Sequence, residues 1–264
     1  MNRYPVRPGD IPGRCITDGG EPYSALASVY DHVMSHVDYI GWTDYLIELF
    51  NFVRIPITSI LETACGTASL ALEMAGRGKR IIACDKSYAM VHSGREKGLR
   101  LRHNVPLFTA DMRSLPVAGQ FDAVICLYDS LNYLLKSDDI VATFNEAYRV
   151  LKPGGIYVFD VCTVRNSELY FDDTSSSERC GATLISRQCS YDADKRLQAN
   201  HFVIEMPYAK LYRESHYQKI YYLREIEEMV ERTRFVEIGR FDDMSFAPGT
   251  ELSDRVHFVL RKQR

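Results

Sequence analysis

The chain has 264 residues, of which 46% are hydrophobic and 25% charged, with a formal net charge of −3. It is long enough for one large domain or a core with an appendage, and no run of 18 apolar residues exists to span a bilayer as a helix. The net charge gives no electrostatic reason to expect a nucleic-acid partner. The N-terminus lacks the apolar stretch of a secretory leader, and the seven cysteines form no CxxC pair, so they read as reduced thiols of a cytoplasmic protein that holds no metal.

Taken in chain order, residues 1–22 carry four of the ten prolines and read as an irregular arm. Helical segments are expected over 24–36 and 41–53. The next stretch, Ser59-Ile60-Leu61-Glu62-Thr63-Ala64-Cys65-Gly66-Thr67-Ala68, reads as an apolar strand ending in an acid, a tight turn of small residues and the start of a helix. Gly66 lets backbone come close to a ligand, because no Cβ stands in the way. The helix that follows points its free N–H groups at the same spot, and Glu62 offers a negative group to hydroxyls or an ammonium. This suits a nucleoside carrying an amino-acid tail.

A second strand, 79–85, ends at Asp85, 23 residues after Glu62. An acid roughly 20 residues past such a turn commonly accepts hydrogen bonds from ribose hydroxyls. Further strands are expected over 105–110, ending at Asp111, over 121–127, and over 156–161 after Lys152-Pro153-Gly154-Gly155. Between the last two lies a helix with Ser137 as N-cap, Asp138 and Asp139 in its first turn, and Ile140, Phe144, Ala147 and Leu151 on one face. Strands alternating with helices imply an α/β fold with a parallel sheet covered on both faces, and ligands bind at the carboxyl ends of its strands. After Arg165 the pattern changes. Strands over 181–191, 196–206 and 212–222 read as an antiparallel β-flap, which leaves the core at about 166 and returns at 223. A short amphipathic helix (223–230) and two strands (234–241 and 255–261) complete the main sheet. The domains expected are thus the arm 1–22, a core of 23–165 with 223–264, and a lid of 166–222 over the site.

The phrases ILETACGTASLALEMA, IIACDKSYAM, FTADMRSLP, FDAVICLYDSLNYL and LKPGGIYVFDV together resemble the class I S-adenosylmethionine-dependent methyltransferases. The likeness runs from about Tyr23 to the C-terminus. It implies a Rossmann-like, seven-stranded, mostly parallel sheet and S-adenosylmethionine as cofactor. YSALASVYDHVM…DYIGWTDYL and ESHYQKIYYLREIEEMV resemble a subgroup of small bacterial-type methyltransferases, to which amino-sugar N-methyltransferases are similar. The resemblance places Asp85 on the ribose, Asp111 at the adenine amine, Met112 on the adenine ring and Met90 along its pocket. It brings Tyr23 and Tyr30 towards the methionine end. Glu62, the turn residues Ala64, Cys65 and Gly66, and Lys86 and Leu127 complete the expected cofactor contacts. The family usually has glycine where this chain has Ala64 and Ala68, so a slightly tighter cofactor site is expected.

Methyl transfer from a sulfonium is an in-line displacement with a neutral leaving thioether. Much of catalysis can be alignment, worth up to roughly 7–11 kcal/mol in ideal cases. A general base is needed only if the nucleophile arrives protonated. Tyr128 and Asp129 follow the fourth strand, where a nucleophile should arrive, and either position it or simply cap a turn. His216 on the third flap strand is a candidate base or substrate ligand, or a solvated strand residue. Cys65, Cys84, Cys126 and Cys162 each fall at the expected carboxyl end of a strand and read as small buried hydrophobes. The expectation is a methyltransferase acting on nitrogen or oxygen of a small molecule. An RNA or protein methyltransferase, or a non-catalytic binder of the same cofactor, is the alternative.

Overall fold

The computed structural model describes residues 15–18 (as backbone only), 22–208 and 210–263. In chain order these form β1 (Cys15–Asp18), a 3-10 turn (Leu26–Ser28), α1 (Tyr30–Val33), α2 (Tyr39–Phe52), β2 (Ser59–Thr63), α3 (Ser69–Gly76), β3 (Arg80–Asp85), α4 (Tyr88–Leu101) and β4 (Leu107–Thr109). β5 (Phe121–Cys126), a second 3-10 turn (Ser130–Tyr133), α5 (Ser137–Val150), β6 (Leu151–Cys162) and α6 (Val164–Tyr170) follow. The chain then runs through β7 (Thr174–Cys180), β8 (Thr183–Asp192), β9 (Leu197–Met206), β10 (Lys210–Lys219), α7 (Leu223–Glu231), β11 (Phe235–Asp242) and β12 (Arg255–Lys262).

Seven strands make the main sheet in the order β11-β12-β6-β5-β2-β3-β4. β2, β3, β4, β5 and β6 pair in parallel, while β12 lies antiparallel to both β6 and β11. The chain leaves β2 towards β3 and β4 on one side and resumes on the other with β5 and β6. This makes the carboxyl edge between β2 and β5 a topological switch point, where α/β sheets open a crevice. Apolar clusters lie on both faces of the sheet: α2 and α3 pack on one through Leu46, Leu49 and Met74, and α5 and α7 on the other through Phe144, Ile226 and Met229. β2 is buried along its whole length, as a parallel strand covered on both faces must be.

Five strands form a second sheet, β1-β10-β9-β8-β7, with antiparallel pairing except for the parallel contact of β1 with β10. The flap is therefore larger than the three strands expected. β7 (Thr174–Cys180) is polar and its first six residues are exposed, so it gave no burial pattern to read. The arm expected to be irregular contains a strand at Cys15–Asp18, because β10 offers it an unpaired edge; its other residues lie outside those described.

Three local expectations also need correcting. The helix expected over 24–36 is only the 3-10 turn and the four-residue α1, because the amides of Tyr23, Ala25 and Leu26 donate to the Glu214 side chain instead. Ser137 begins α5 rather than capping it, and the N-cap is Lys136 with no side-chain bond. Leu151 opens β6 instead of closing the helix.

At the amino edge Asp122 locks β5 beside β2. One oxygen accepts from the Thr58 and Ser59 amides and both their hydroxyls at 2.7–3.0 Å, and the other takes Lys152 Nζ at 2.6 Å. Burial alone would raise its pKa, but these donors hold it well below the usual carboxylate range. Asp122→Ala should therefore cost about 1.5–3 kcal/mol, the range for hydrogen bonds to a charged group, read as a lower urea midpoint at unchanged slope.

Candidate active site

At the carboxyl end of β2 the backbone alternates into the left-handed region at Ala64 (φ 53°), Gly66 (φ 56°) and Ala68 (φ 60°). Glycine adopts this conformation freely, but for each alanine it costs about 1–2 kcal/mol. At the two positions where the resemblance leads glycine to be expected, alanine holds the left-handed conformation and carries strain. A Cβ on Gly66 would stand 3.6 Å from the Tyr30 ring, an ordinary van der Waals contact, so the cost of a side chain here lies in the left-handed backbone. The Gly66 N–H donates to Asp85 Oδ2 at 2.8 Å, and Ser87 N–H donates to Asp85 Oδ1 at 2.8 Å. Asp85 thus joins the turn to the end of β3.

Glu62 is 5% exposed, and its Oε2 atom has no hydrogen-bond partner among the described residues. Burial, reinforced by the charge of Asp85, pushes its pKa up to about 8, against the pull of the Ala71 amide and Lys97. An orphaned buried carboxyl beside a left-handed glycine turn is a poor structural choice unless a ligand's donors complete it. A nucleoside cofactor with hydroxyl and ammonium groups fits that donor need.

Above this edge lies the segment 22–33, strapped to both neighbouring parts of the molecule. On the core side, Lys97 Nζ bridges Asp31 Oδ1 (2.7 Å), Thr67 Oγ1 (2.8 Å) and Ser69 Oγ (2.7 Å), and Ser87 Oγ donates to the Tyr23 carbonyl at 3.1 Å. On the flap side, Glu214 of β10 accepts from Tyr23 N (2.8 Å), Ser24 Oγ (3.0 Å), Ala25 N (2.5 Å) and Leu26 N (3.1 Å). The strap thereby sets the Tyr30 ring edge-on to Tyr23, at 5.7 Å between centroids.

His216 is 2% exposed, not solvated. Its Nε2 lies 3.0 Å from Glu214 Oε2, its Nδ1 lies 3.5 Å from Tyr133 Oη, and its ring is 4.4 Å from that of Tyr23. The hydroxyls of Tyr23 and Tyr133 are hydrogen-bonded to each other. Burial first, then their mutual proximity, raises the pKa of Tyr23 well above its ordinary value. Burial would likewise raise that of Glu214, but His216 and the strap amides outweigh it and hold it low.

Asp129 (φ 51°) is equally committed. It accepts from Gln218 Nε2 at 2.5 Å and pairs with Arg255 at 2.8 Å, and its N–H donates to Asp160 Oδ2 at 2.8 Å. Arg255 also pairs with the fully buried Asp160 and stacks on Tyr128 and Trp42 at 4.8 and 5.5 Å. Tyr128 (φ 61°) therefore packs in a cation–π stack, with its phenol pushed by burial up to about 12.

The remaining expected contacts are distributed along the β3–β4 side. Asp111 is held by Arg113 through both oxygens at 3.0 and 2.7 Å, which lowers its pKa to about 2. Lys86 is exposed, 3.6 Å from Asp111. Met112 lies 3.8 Å from the Cys126 sulfur, while Met90 and Leu127 are buried. Cys65, Cys84, Cys126 and Cys162 are buried free thiols, and burial lifts Cys84 and Cys126 to about 12. Among the described residues no group of three His, Cys, Asp or Glu side chains can hold a metal ion, and no helix is long and apolar enough to cross a membrane.

Sequence reasoning missed Glu214, Tyr133, Gln218, Arg255 and Lys97. The flap signal was there to read: Asn200, Phe202 and Ile204 on β9, and Glu214, His216 and Gln218 on β10, alternate at period two and are all buried. A buried, largely polar sheet face marks a surface turned towards other groups rather than a core.

A doubly wound sheet whose switch point holds this turn, the orphaned Glu62 and Asp85 defines a protein that binds a nucleoside cofactor at its carboxyl edge. Residues 60–155 match the family described as "methyltransferase domain". YqeM of Bacillus subtilis (strain 168), which is named as a methyltransferase, is 30% identical over 249 residues, covering 92% of this chain and 98% of YqeM. The chain belongs to the class I S-adenosylmethionine-dependent methyltransferases; it is an enzyme, and S-adenosylmethionine is its cofactor. Its fold is similar to an S-adenosylmethionine-dependent methyltransferase from Clostridium acetobutylicum ATCC 824, with a TM-score of 0.78 at 21% identity over 92% of this chain and all of that one. It also resembles the sugar N-methyltransferase KedS8 from Streptoalloteichus sp ATCC 53650, with a TM-score of 0.73 at 16% identity and full coverage of both chains.

Because Glu62 binds its proton more tightly folded (about 8) than unfolded (4.5), the folded state holds more protons between those values. Stability of the ligand-free protein should then fall as pH rises through that window. Urea titrations from pH 5 to 8 should show the decline, and Glu62→Gln should flatten it. Gly66→Ala should weaken S-adenosylhomocysteine binding in calorimetry, because the added methyl stands between the turn and the Tyr30 ring and the backbone takes on the left-handed strain already present at Ala64 and Ala68.

Proposed function

We propose that the protein transfers a methyl group to a nitrogen, or failing that an oxygen, of a small molecule enclosed between the carboxyl edge of the main sheet and the inner face of the flap. The observation that carries this reading is His216: buried on the flap, backed by Glu214 and in contact with the Tyr23–Tyr133 hydroxyl pair. In this reading residues 166–222 act as a lid over a core of 23–165 and 223–264.

Glu62, Asp85 and the turn of Ala64, Cys65 and Gly66 hold the ribose and the amino-acid end of the cofactor. Asp111, Met112, Met90, Lys86 and Leu127 border the base, and Tyr23 and Tyr30 close the methionine end. When bound, S-adenosylmethionine supplies the electrophilic methyl on its sulfonium. The chain's own task is to align the acceptor, keep water out and receive a proton. A protonated amine cannot attack until it loses a proton, and His216 can accept one directly or through Tyr133 while Glu214 stabilises the resulting imidazolium. A positioned base of this kind is worth roughly 10²–10⁴-fold. Asp129 and Tyr128 shape the acceptor's approach, and Asp129 is bound too tightly by Arg255 and Gln218 to serve as the main base. Sugar N-methylation by the similarly folded KedS8 is compatible with this reading.

The test is a radiolabelled methyl-transfer screen over amines, amino sugars and hydroxylated analogues. With an acceptor in hand, His216→Ala should lower kcat by roughly 10²–10⁴-fold and leave S-adenosylhomocysteine affinity unchanged; an unaltered kcat removes His216 from proton transfer. Asp85→Ala should weaken S-adenosylhomocysteine by roughly 10–100-fold, the equivalent of about 1.5–3 kcal/mol of charged hydrogen bonding. Unchanged affinity would overturn the ribose assignment.

A further inference from the structure

On the inner face of the flap, β8 carries Ile185, Arg187 and Cys189 opposite Ile204, Phe202 and Asn200 of β9. Between this face and α1 lies a cavity of about 330 Å³, bordered by Val33, Ile185 and Phe202 with Arg187, His36 and Glu178 among its polar groups. That volume is at the small end of the range for ligand sites. Arg187 is its unusual member. Its Nε and Nη2 both donate to Asn200 Oδ1, at 3.1 and 2.6 Å, and its guanidinium lies against the rings of Phe171 and Phe202 at 5.3 and 5.6 Å. Asn200 is 3% exposed, so the fork is held by a rigid, buried partner.

Among the described residues no carboxylate pairs with Arg187. Its hydrogen-bond acceptor among the described residues is a neutral amide oxygen, whereas Arg77, Arg113, Arg149, Arg196, Arg240 and Arg255 each have at least one acid. Glu178, the acid bordering the cavity, is 3.3 Å from His32, and both side chains are about 40% exposed. A half-buried guanidinium fixed between two aromatic faces and paired with no carboxylate among the described residues is prepared for an anion. Its planar fork matches a carboxylate or a phosphate, and desolvation strengthens the pairing. The seat adjoins the reacting groups: the Phe202 ring that stacks on Arg187 lies 5.2 Å from the His216 ring. Burial raises the pKa of Tyr133 well above its ordinary value, and the positive charge of Arg187 works against that rise.

We propose that the methyl acceptor carries an anionic group, a carboxylate or a phosphate, that binds Arg187 inside the flap cavity while its nucleophile faces His216 and Tyr133. This rests on the amine reading given above for the nucleophile alone; the anion seat stands on the cavity and on Arg187.

The test uses the full chain loaded with S-adenosylhomocysteine and titrated by calorimetry with glucosamine, glucosamine 6-phosphate and 2-amino-2-deoxygluconate. Inorganic phosphate alone is followed in parallel through the Arg187 Nε–H resonance. One anionic amine should bind at least tenfold more tightly than the neutral one, and which of them does so separates phosphate from carboxylate recognition. Arg187→Gln should abolish that advantage, with the melting temperature and S-adenosylhomocysteine affinity retained, and Arg187→Lys should restore part of it. Equal binding of neutral and anionic amines, or an advantage that survives Arg187→Gln, overturns the anion seat and leaves the amine reading standing. If phosphate shifts the Arg187 resonance but no amine binds, the seat is supported and the amine reading falls. If neither phosphate nor any anionic amine perturbs Arg187, the seat is overturned.

Discussion

Glu214 sits on β10, 3% exposed, with both oxygens committed. One meets the Ser24 hydroxyl and the Ala25 and Leu26 amides; the other meets the Tyr23 amide and His216. Three parts of the molecule therefore depend on one side chain: the strap over the cofactor edge, the flap, and the imidazole between them. A carboxylate in so dry a place is unfavourable unless it is fully bonded, and its five donors come from two segments about 190 residues apart in sequence. The bond set can form only when strap and flap are both in place. Placement of the strap and orientation of the histidine are thus a single structural event.

The same logic governs the second polar cluster. Arg255 lies between Asp129 and Asp160 and against two aromatic rings, and Gln218 ties Asp129 to the flap while Gln198 donates to Gln218 at 2.8 Å. Buried ion pairs of this kind contribute little net stability, but removing one partner leaves an uncompensated charge and costs several kcal/mol. Their effect here is to fix the geometry of the Tyr128–Asp129 turn, where two successive residues adopt left-handed conformations. Asp129 reads as a reactive acid on position alone; its neighbours make it a rigid support.

The cofactor edge is arranged in the opposite way. Glu62 is buried and half-bonded, and Ala64 and Ala68 hold a conformation that alanine resists. Each of these disfavours the ligand-free fold, and the stable sheets on either side carry the load. An unsatisfied acid and a strained turn thus coincide at the switch point.

Local sequence determined the main sheet. The strand ends at Thr63, Asp85 and Cys126, the glycine turn and the spacing between them depend on residues within a few positions of one another, so their pattern survives without tertiary context. Helix propensity failed at residues 24–36, where a distant carboxylate captured the amides that a helix would have used. β7 escaped notice because an exposed polar strand has no burial period, and β1 because its structure comes from the free edge of β10. Only the folded chain decided that His216 is buried rather than solvated, that Tyr133 joins Tyr23, and that Arg187 pairs with no carboxylate among the described residues. Each of these is a relation between strands or segments distant in sequence, and a side chain's surroundings are set by those neighbours rather than by its own place in the chain.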